Sequence, residues 1–199
     1  IASEHHAIAA INGSYFDMKR GNSVCFLKVG DQVVDTTTLS ESKWRVTGAI
    51  HLHKGKMKLI LWNRQIEKEY KEETGTVLAS GPLMLKDGQV CDWSSCNANF
   101  IRNKHPRSAV ATTKDGKILL ITVDGRFPEQ AGGVNIPELA HLIRVLGGED
   151  ALNLDGGGST TLWLSGASDN GVVNYPCDNG RFDHAGERKV PNILYITHQ

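Results

Sequence analysis

The sequence predicts an α+β fold, with a mixed, largely antiparallel sheet, one principal helix and a βαβ-like unit, in a single domain over residues 1–199. Three observations predict it. Short apolar runs joined by tight turns fill the first half of the chain; apolar residues recur at helical spacing over one sustained stretch, 135–146; and that stretch lies between two further apolar runs, 118–123 and 151–154. With 199 residues, 40% of them hydrophobic, the chain can bury one core. It has no internal repeat and no low-complexity tract.

In order, Ala7 to Ile11 reads as a buried strand running into the turn Asn12-Gly13, with Phe16 expected in the core. Val24 to Val29 and Gln32 to Asp35 flank Gly30-Asp31, and Val46 to His53 and Met57 to Trp62 flank Lys54-Gly55-Lys56, giving two hairpins. His51 and His53 share one strand face, which reads as solvated in the absence of a nearby third metal ligand. Arg64 to Glu73, with mixed charge and no apolar stripe, predicts an exposed linker or a short surface helix. Thr76 to Ala79 enters the break Ser80-Gly81-Pro82, and Leu83 to Leu85 pairs across Asp87-Gly88 with Gln89 to Cys91.

Arg107 opens the strand Ser108 to Thr113, and Ile118 to Val123, an almost unbroken apolar run, predicts a central strand. Asn135, Pro137 and Glu138 form a helix start, Ile136, Leu139, Ala140, Ile143 and Leu146 mark one face, and Gly147-Gly148 supplies the stop. If the strands on either side of this helix run parallel, Asp124 and Asp155 emerge at the same sheet edge, where open sheets bind ligands. Thr160 to Leu164 and Ile193 to Thr197 read as strands on either side of a loop rich in Gly, Asn and Asp.

Composition excludes several classes. Lys and Arg number 22 against 22 Asp and Glu, so no general charge favours nucleic acid or an anionic membrane. No apolar run approaches the roughly 20 residues of a membrane span. The start Ile1-Ala2-Ser3-Glu4 predicts a trimmed or processed chain. Cys25, Cys91, Cys96 and Cys177 lack CxxC spacing; a local Cys91–Cys96 disulfide and unpaired thiols are both compatible with it, and the cysteines lean towards an exported protein. P-loop, GxSxG and HExxH sequences are absent, and no cofactor or metal is expected.

The chemistry is expected around Asn153-Leu154-Asp155-Gly156-Gly157-Gly158-Ser159-Thr160-Thr161-Leu162. A carboxylate at a strand end followed by three glycines exceeds what a turn requires, and the hydroxyls that follow predict a polar ligand site resembling a Gly-rich anion cradle. Asn12, Ser80, Arg107, Asp124, Arg126 and Asn153 also stand at the ends of apolar runs or at breaks. Carboxylates combined with guanidinium groups and amides suit a phosphorylated sugar: arginine forks match phosphate oxygens, and paired carboxylates cleave glycosidic bonds.

In Ala10-Ile11-Asn12-Gly13-Ser14-Tyr15-Phe16, Ser80-Gly81-Pro82, His105-Pro106-Arg107-Ser108-Ala109, Val123-Asp124-Gly125-Arg126, Leu154 to Thr161 and Glu187-Arg188-Lys189-Val190-Pro191-Asn192, the sequence resembles the phosphodiester glycosidases. The resemblance implies hydrolysis of a sugar joined through its anomeric carbon to a phosphodiester, as in N-acetylglucosamine 1-phospho-6-mannose, and residence in a secretory or periplasmic compartment. It implies Asp155 and Asp124 as catalytic residues, in an order the sequence does not decide. It implies Asn12, Ser80, Arg107, Arg126, Asn153, Gly156, Gly157, Gly158, Ser159 and Arg188 as substrate-binding residues. Ser14 and Ser108 stand where the family pattern has glycine and threonine, which bears on substrate choice more than on reaction class. The expected partner is a small-molecule or glycan phosphodiester. The rival readings are a non-catalytic glycan or phosphate binding module and a metal-dependent phosphodiesterase.

Overall fold

A computed structural model describes residues 1–70 and 73–198. In chain order the strands are β1 (Ala7–Asn12), β2 (Leu27–Val29), β3 (Gln32–Asp35), β4 (Gly48–His53), β5 (Lys56–Leu61), β6 (Thr76–Ser80), β7 (Leu83–Lys86), β8 (Gln89–Val90), β9 (Arg107–Thr113), β10 (Ile118–Val123), β11 (Gly148–Asn153), β12 (Leu162–Leu164) and β13 (Ile193–Thr197). The helices are α1 (Leu39–Trp44), α2 (Arg64–Tyr70), α3 (Ala98–Arg102) and α4 (Ile136–Val145). The strands form sheets of order β10-β9-β11-β7-β8, β3-β2-β6-β4-β5 and β12-β1-β13, and every pairing among the described residues is antiparallel.

Strand alternation builds the layers. Ala109, Ala111 and Ala151 face α4, whereas Val110 and Leu152 point the other way and meet Ile50, Leu59 and Leu78 of the second five-stranded sheet. On that sheet's far side Ala49, Val77 and Ala79 pack with Tyr15, Phe26 and Trp62. The three-stranded sheet joins the middle layer through Ile11, Leu162 and Leu194.

The expected hairpins form, and α4 forms as its sequence signals require. Asn135 accepts a hydrogen bond from the Glu138 N–H at 2.8 Å, Glu138 accepts one from the Asn135 N–H at 3.0 Å, and Ile136, Leu139, Ala140 and Ile143 are buried. Leu139→Ala is expected to cost about 2–5 kcal/mol, because it removes a fully buried side chain between helix and sheet. A urea-unfolding midpoint is the measurement.

The βαβ-like unit has a strand inside it. β10 and β11 each pair antiparallel with β9, so they run parallel to one another across it, and their carboxyl ends share a sheet edge with the start of β9. β10 is therefore an edge strand of its sheet, which corrects the central position expected from its apolar run. Its run is apolar on both sides because Leu119, Ile121 and Val123 pack towards α4 while Leu120 packs into the inter-sheet layer.

Two further expectations change. Tyr15 is the fully buried aromatic and Phe16 is half-buried. α2 is tied to the core: buried Glu67 accepts from the Thr37 N–H at 3.1 Å and from Trp62 Nε1 at 3.2 Å, while Ile66 and Tyr70 pack inward. The expected segment continues through 71–72, which lie outside the described residues. His51 and His53 do share a face, with ring centroids 6.1 Å apart and His51 Nε2 2.9 Å from the Thr74 carbonyl. All four cysteines are unpaired.

Candidate functional site

Sheet register assembles the site. Val123 lies opposite Arg107, the Leu154 N–H donates to the Ser108 carbonyl at 2.8 Å, and the Gly157 N–H donates to the Pro106 carbonyl at 2.9 Å. The Asp155 N–H donates to the Gly13 carbonyl at 3.0 Å, which brings the end of β1 to the same edge. Asn12, Arg107, Asp124, Asn153 and Asp155 thus come from distant parts of the chain to one end of the sandwich.

Asp155 is the most perturbed carboxylate there. Loss of solvation pushes its pKa up to about 6, against the Ser159 hydroxyl, the Arg45 charge, the Gly156 N–H and the Arg188 charge, all of which favour the ionised form. The Ser159 hydroxyl acts on it electrostatically while falling outside hydrogen-bond geometry. Asp124 is committed to the loop between β12 and β13: its Oδ1 accepts from Asn174 Nδ2 at 2.9 Å and from the Tyr175 N–H at 3.1 Å.

The arginines differ in what they hold. Arg107 is buried, and its guanidinium donates to the carbonyls of Val134, Phe100 and Asn103 at 3.2, 3.0 and 2.9 Å, so most of its fork is bound to backbone. Arg126 is exposed and lies over Gly157, with Nη1 3.9 Å from Cys177 Sγ. Arg188 pairs through Nε (3.0 Å) and Nη2 with the Asp178 carboxylate and lies over Gly158.

The glycines make room for close neighbours. Only Gly157 has positive φ, at 60°. A Cβ on Gly158 would collide with Arg188 Nη2 and with Asp178 Oδ1. The N–H groups of Gly157, Ser159 and Thr160 are consumed by the carbonyls of Pro106, Gly156 and Gly157. The loop therefore brings guanidinium groups to the site, and these three N–H groups are not offered to an anion. Gly158→Ala is expected to displace the far end of Arg188 and lower kcat by about tenfold with little loss of stability; steady-state kinetics beside a thermal melt checks both.

Asn12 and Asn153 brace the site from beneath. Asn12 donates to the Asp155 carbonyl at 2.6 Å and accepts from Ser108 Oγ at 2.6 Å and from the Thr161 N–H at 3.2 Å. Asn153 donates to Tyr15 Oη at 2.8 Å and to the Gly81 carbonyl at 3.0 Å. Ser80 Oγ, Asn153 Oδ1, Ser159 Oγ, Thr160 Oγ1 and Thr161 Oγ1 are buried without a hydrogen-bond partner. Unpaired buried polar atoms cost about 1–3 kcal/mol each, and their concentration beside one perturbed carboxylate marks a site.

Sequence reasoning missed Arg45, Tyr15 and Asp178. Arg45 lies 3.4 Å above the Tyr15 ring centroid and binds Glu41 at 2.8 and 3.2 Å; the Glu41 to Arg45 spacing of four was the available signal. Tyr15 donates to the Gly81 carbonyl at 2.6 Å, and burial raises its phenol well above the ordinary range. Asp178, inside the polar loop, carried no local signal.

Known proteins are similar to this chain in sequence and in fold. The family profile described as "Phosphodiester glycosidase" matches residues 5–197. The SPbeta prophage-derived uncharacterized protein YomE of Bacillus subtilis is 26% identical over 179 residues, covering 86% of this chain and 26% of that protein. The mouse N-acetylglucosamine-1-phosphodiester alpha-N-acetylglucosaminidase is 33% identical over 108 residues, 52% of this chain and 20% of the enzyme. This chain thus spans about a quarter or less of these two relatives. The zebrafish catalytic domain of the same enzyme, solved auto-inhibited by its pro-peptide, superposes with a TM-score of 0.77 at 21% identity over 100% of this chain and 66% of that one. A hypothetical protein from Synechocystis superposes with a TM-score of 0.66 at 15% identity over 95% of this chain and 51% of that one. With the profile matched from residue 5 to residue 197, the chain belongs to the phosphodiester glycosidase family.

Proposed function

We propose that this domain hydrolyses a sugar 1-phosphodiester at the bond between anomeric carbon and oxygen, releasing the sugar and a phosphomonoester. The observation that carries the reading is Asp155, a carboxylate with its pKa raised to about 6, facing the charges of Arg45 and Arg188 among buried unpaired hydroxyls. Family membership supports a glycosidase acting on phosphodiesters, and the name of the mouse relative supports N-acetylglucosamine as the sugar.

Cleavage converts a phosphodiester monoanion into a monoester whose second pKa is about 6, so negative charge grows on the departing group as the bond breaks. Guanidinium groups stabilise that growing charge more than the ground state, and little protonation by an acid is needed. Arg188 and Arg126, on the glycine loop, take this role; Arg107 contributes mainly by fixing the start of β9. Ionised Asp155 acts at the anomeric carbon, as nucleophile or as base for water. Asp124 holds the 174–175 stretch of the loop that also carries Asp178, and is a positioning residue in this scheme.

The test is incubation with methyl N-acetylglucosamine 1-phosphate. Stoichiometric free sugar and methyl phosphate support the reading; binding without turnover would make the domain a lectin-like module. A secreted or periplasmic location belongs to the same proposal, and no helix among the described residues is long and apolar enough to cross a membrane.

A further inference from the structure

The loop between β12 and β13 presents a carboxylate, Asp178, to the cationic side of the site. Asp124 anchors the start of the loop through Asn174 Nδ2 and the Tyr175 N–H. The Tyr175 ring then stacks on Phe182, with centroids 4.1 Å and planes 6° apart, which folds the loop back on itself. Between these two residues the Asp178 N–H donates to the Gly186 carbonyl at 3.2 Å, and a Cβ on Gly186 would collide with the Pro176 carbonyl. Asp178 is thereby held beside the glycine loop. Its Oδ1 accepts from both Nε (3.0 Å) and Nη2 of Arg188, and a Cβ on Gly158 would strike this oxygen as well as the guanidinium.

A carboxylate is a costly way to fix a guanidinium that must receive an anion. The same protein fixes Arg107 with three backbone carbonyls, which add no charge. Around the glycine loop Arg126 and Arg188 stand instead against two carboxylates, Asp155 and Asp178. Asp178 takes two edges of the Arg188 fork, and among the described residues Nη1 of Arg188 holds no hydrogen bond, so a phosphate meets this arginine with Asp178 as its neighbour. A phosphodiester carries one negative charge, whereas a phosphomonoester, with its second pKa of about 6, carries two at neutral pH. Repulsion from a fixed carboxylate grows with each of those charges. In the transition state the second charge is only partly formed, so the repulsion falls most heavily on the released monoester.

We infer that Asp178 is a specificity-determining residue: sharing Arg188 with the bound phosphate, it admits the monoanionic diester and expels the dianionic monoester. The inference rests on the proposed glycosidase reading for its purpose, which is to keep the product from occupying the site that the next substrate needs.

Two anions of the same shape test it. Methyl phosphate is a dianion at about pH 8 and methyl sulfate a monoanion. Calorimetric titration of the full wild-type chain is expected to show methyl phosphate bound no more tightly than methyl sulfate. In Asp178→Asn, a change of charge with little change of size at an exposed position, the ratio of the two affinities is expected to move about tenfold towards methyl phosphate. Looser positioning of Arg188 would weaken both anions alike and leave that ratio unmoved.

Turnover enters neither titration. Failure of the wild type to hydrolyse methyl N-acetylglucosamine 1-phosphate would therefore refute the glycosidase reading without deciding the charge selection. With turnover, the inhibition constant of methyl phosphate is expected to fall in Asp178→Asn by the same factor. A wild type that already prefers methyl phosphate, a ratio that stays within about threefold in Asp178→Asn or moves the other way, or no binding of either anion at tens of millimolar would each overturn the inference.

Discussion

Asp155→Asn is expected to remove turnover by at least about 10³-fold while leaving the fold intact and making it more stable at neutral pH. The loss follows from the role proposed for the ionised carboxylate at the anomeric carbon. The gain in stability follows from linkage. The folded-state pKa of about 6 lies above the ordinary 3.8, so between these values the folded protein holds a proton that the unfolded chain releases. The wild type is then stabilised below about pH 4 and loses that contribution as pH rises through about 6. The gap corresponds to on the order of 3 kcal/mol at neutral pH, and the neutral amide of the Asp155→Asn variant carries no such penalty. Denaturant unfolding of both proteins from pH 4 to 8 should show curves that diverge as pH rises. The same ionisation should appear in wild-type kinetics as a fall in kcat/KM below about pH 6, a range in which the phosphodiester itself does not titrate.

Arg188→Met is expected to lower kcat by about 10²-fold or more, since a guanidinium aimed at a departing phosphate acts mainly in the transition state. It should also move the acid limb of the pH profile upward. The Arg188 charge favours ionised Asp155, so removing it raises the carboxyl's pKa further. Arg188→Lys separates the two effects: it retains charge and should restore the acid limb, but it lacks the fork that spans Asp178 and phosphate, so kcat should recover only in part. A kcat loss with an unmoved limb would detach Arg188 from Asp155.

The fold was legible where its determinants are local. α4 has its cap, its first-turn proline and its apolar face within a dozen residues, and the hairpins around Gly30-Asp31 and Lys54-Gly55-Lys56 have their turns in the sequence between them. The edge position of β10 was hidden because burial on both faces gives the same apolar run in an edge strand as in a central one. At the site, Asp155, Asn12 and Arg188 stand out as polar residues at strand ends or within resembling motifs. Their partners do not: Arg45 meets Tyr15 across thirty positions of sequence, and Asp178 reaches Arg188 from a loop whose composition marks only irregular structure. The glycine loop stands out in the sequence, whereas the side chains of Arg126 and Arg188 that lie over Gly157 and Gly158 come from distant positions.

Cleavage at carbon and cleavage at phosphorus yield the same products and differ in the destination of the oxygen from water. Hydrolysis of methyl N-acetylglucosamine 1-phosphate in heavy-oxygen water, sampled by mass spectrometry before the free anomeric hydroxyl exchanges, follows that oxygen directly. The expected result is label in the released sugar and none in methyl phosphate. Label in the phosphate would contradict attack at the anomeric carbon and would place the chemistry at phosphorus.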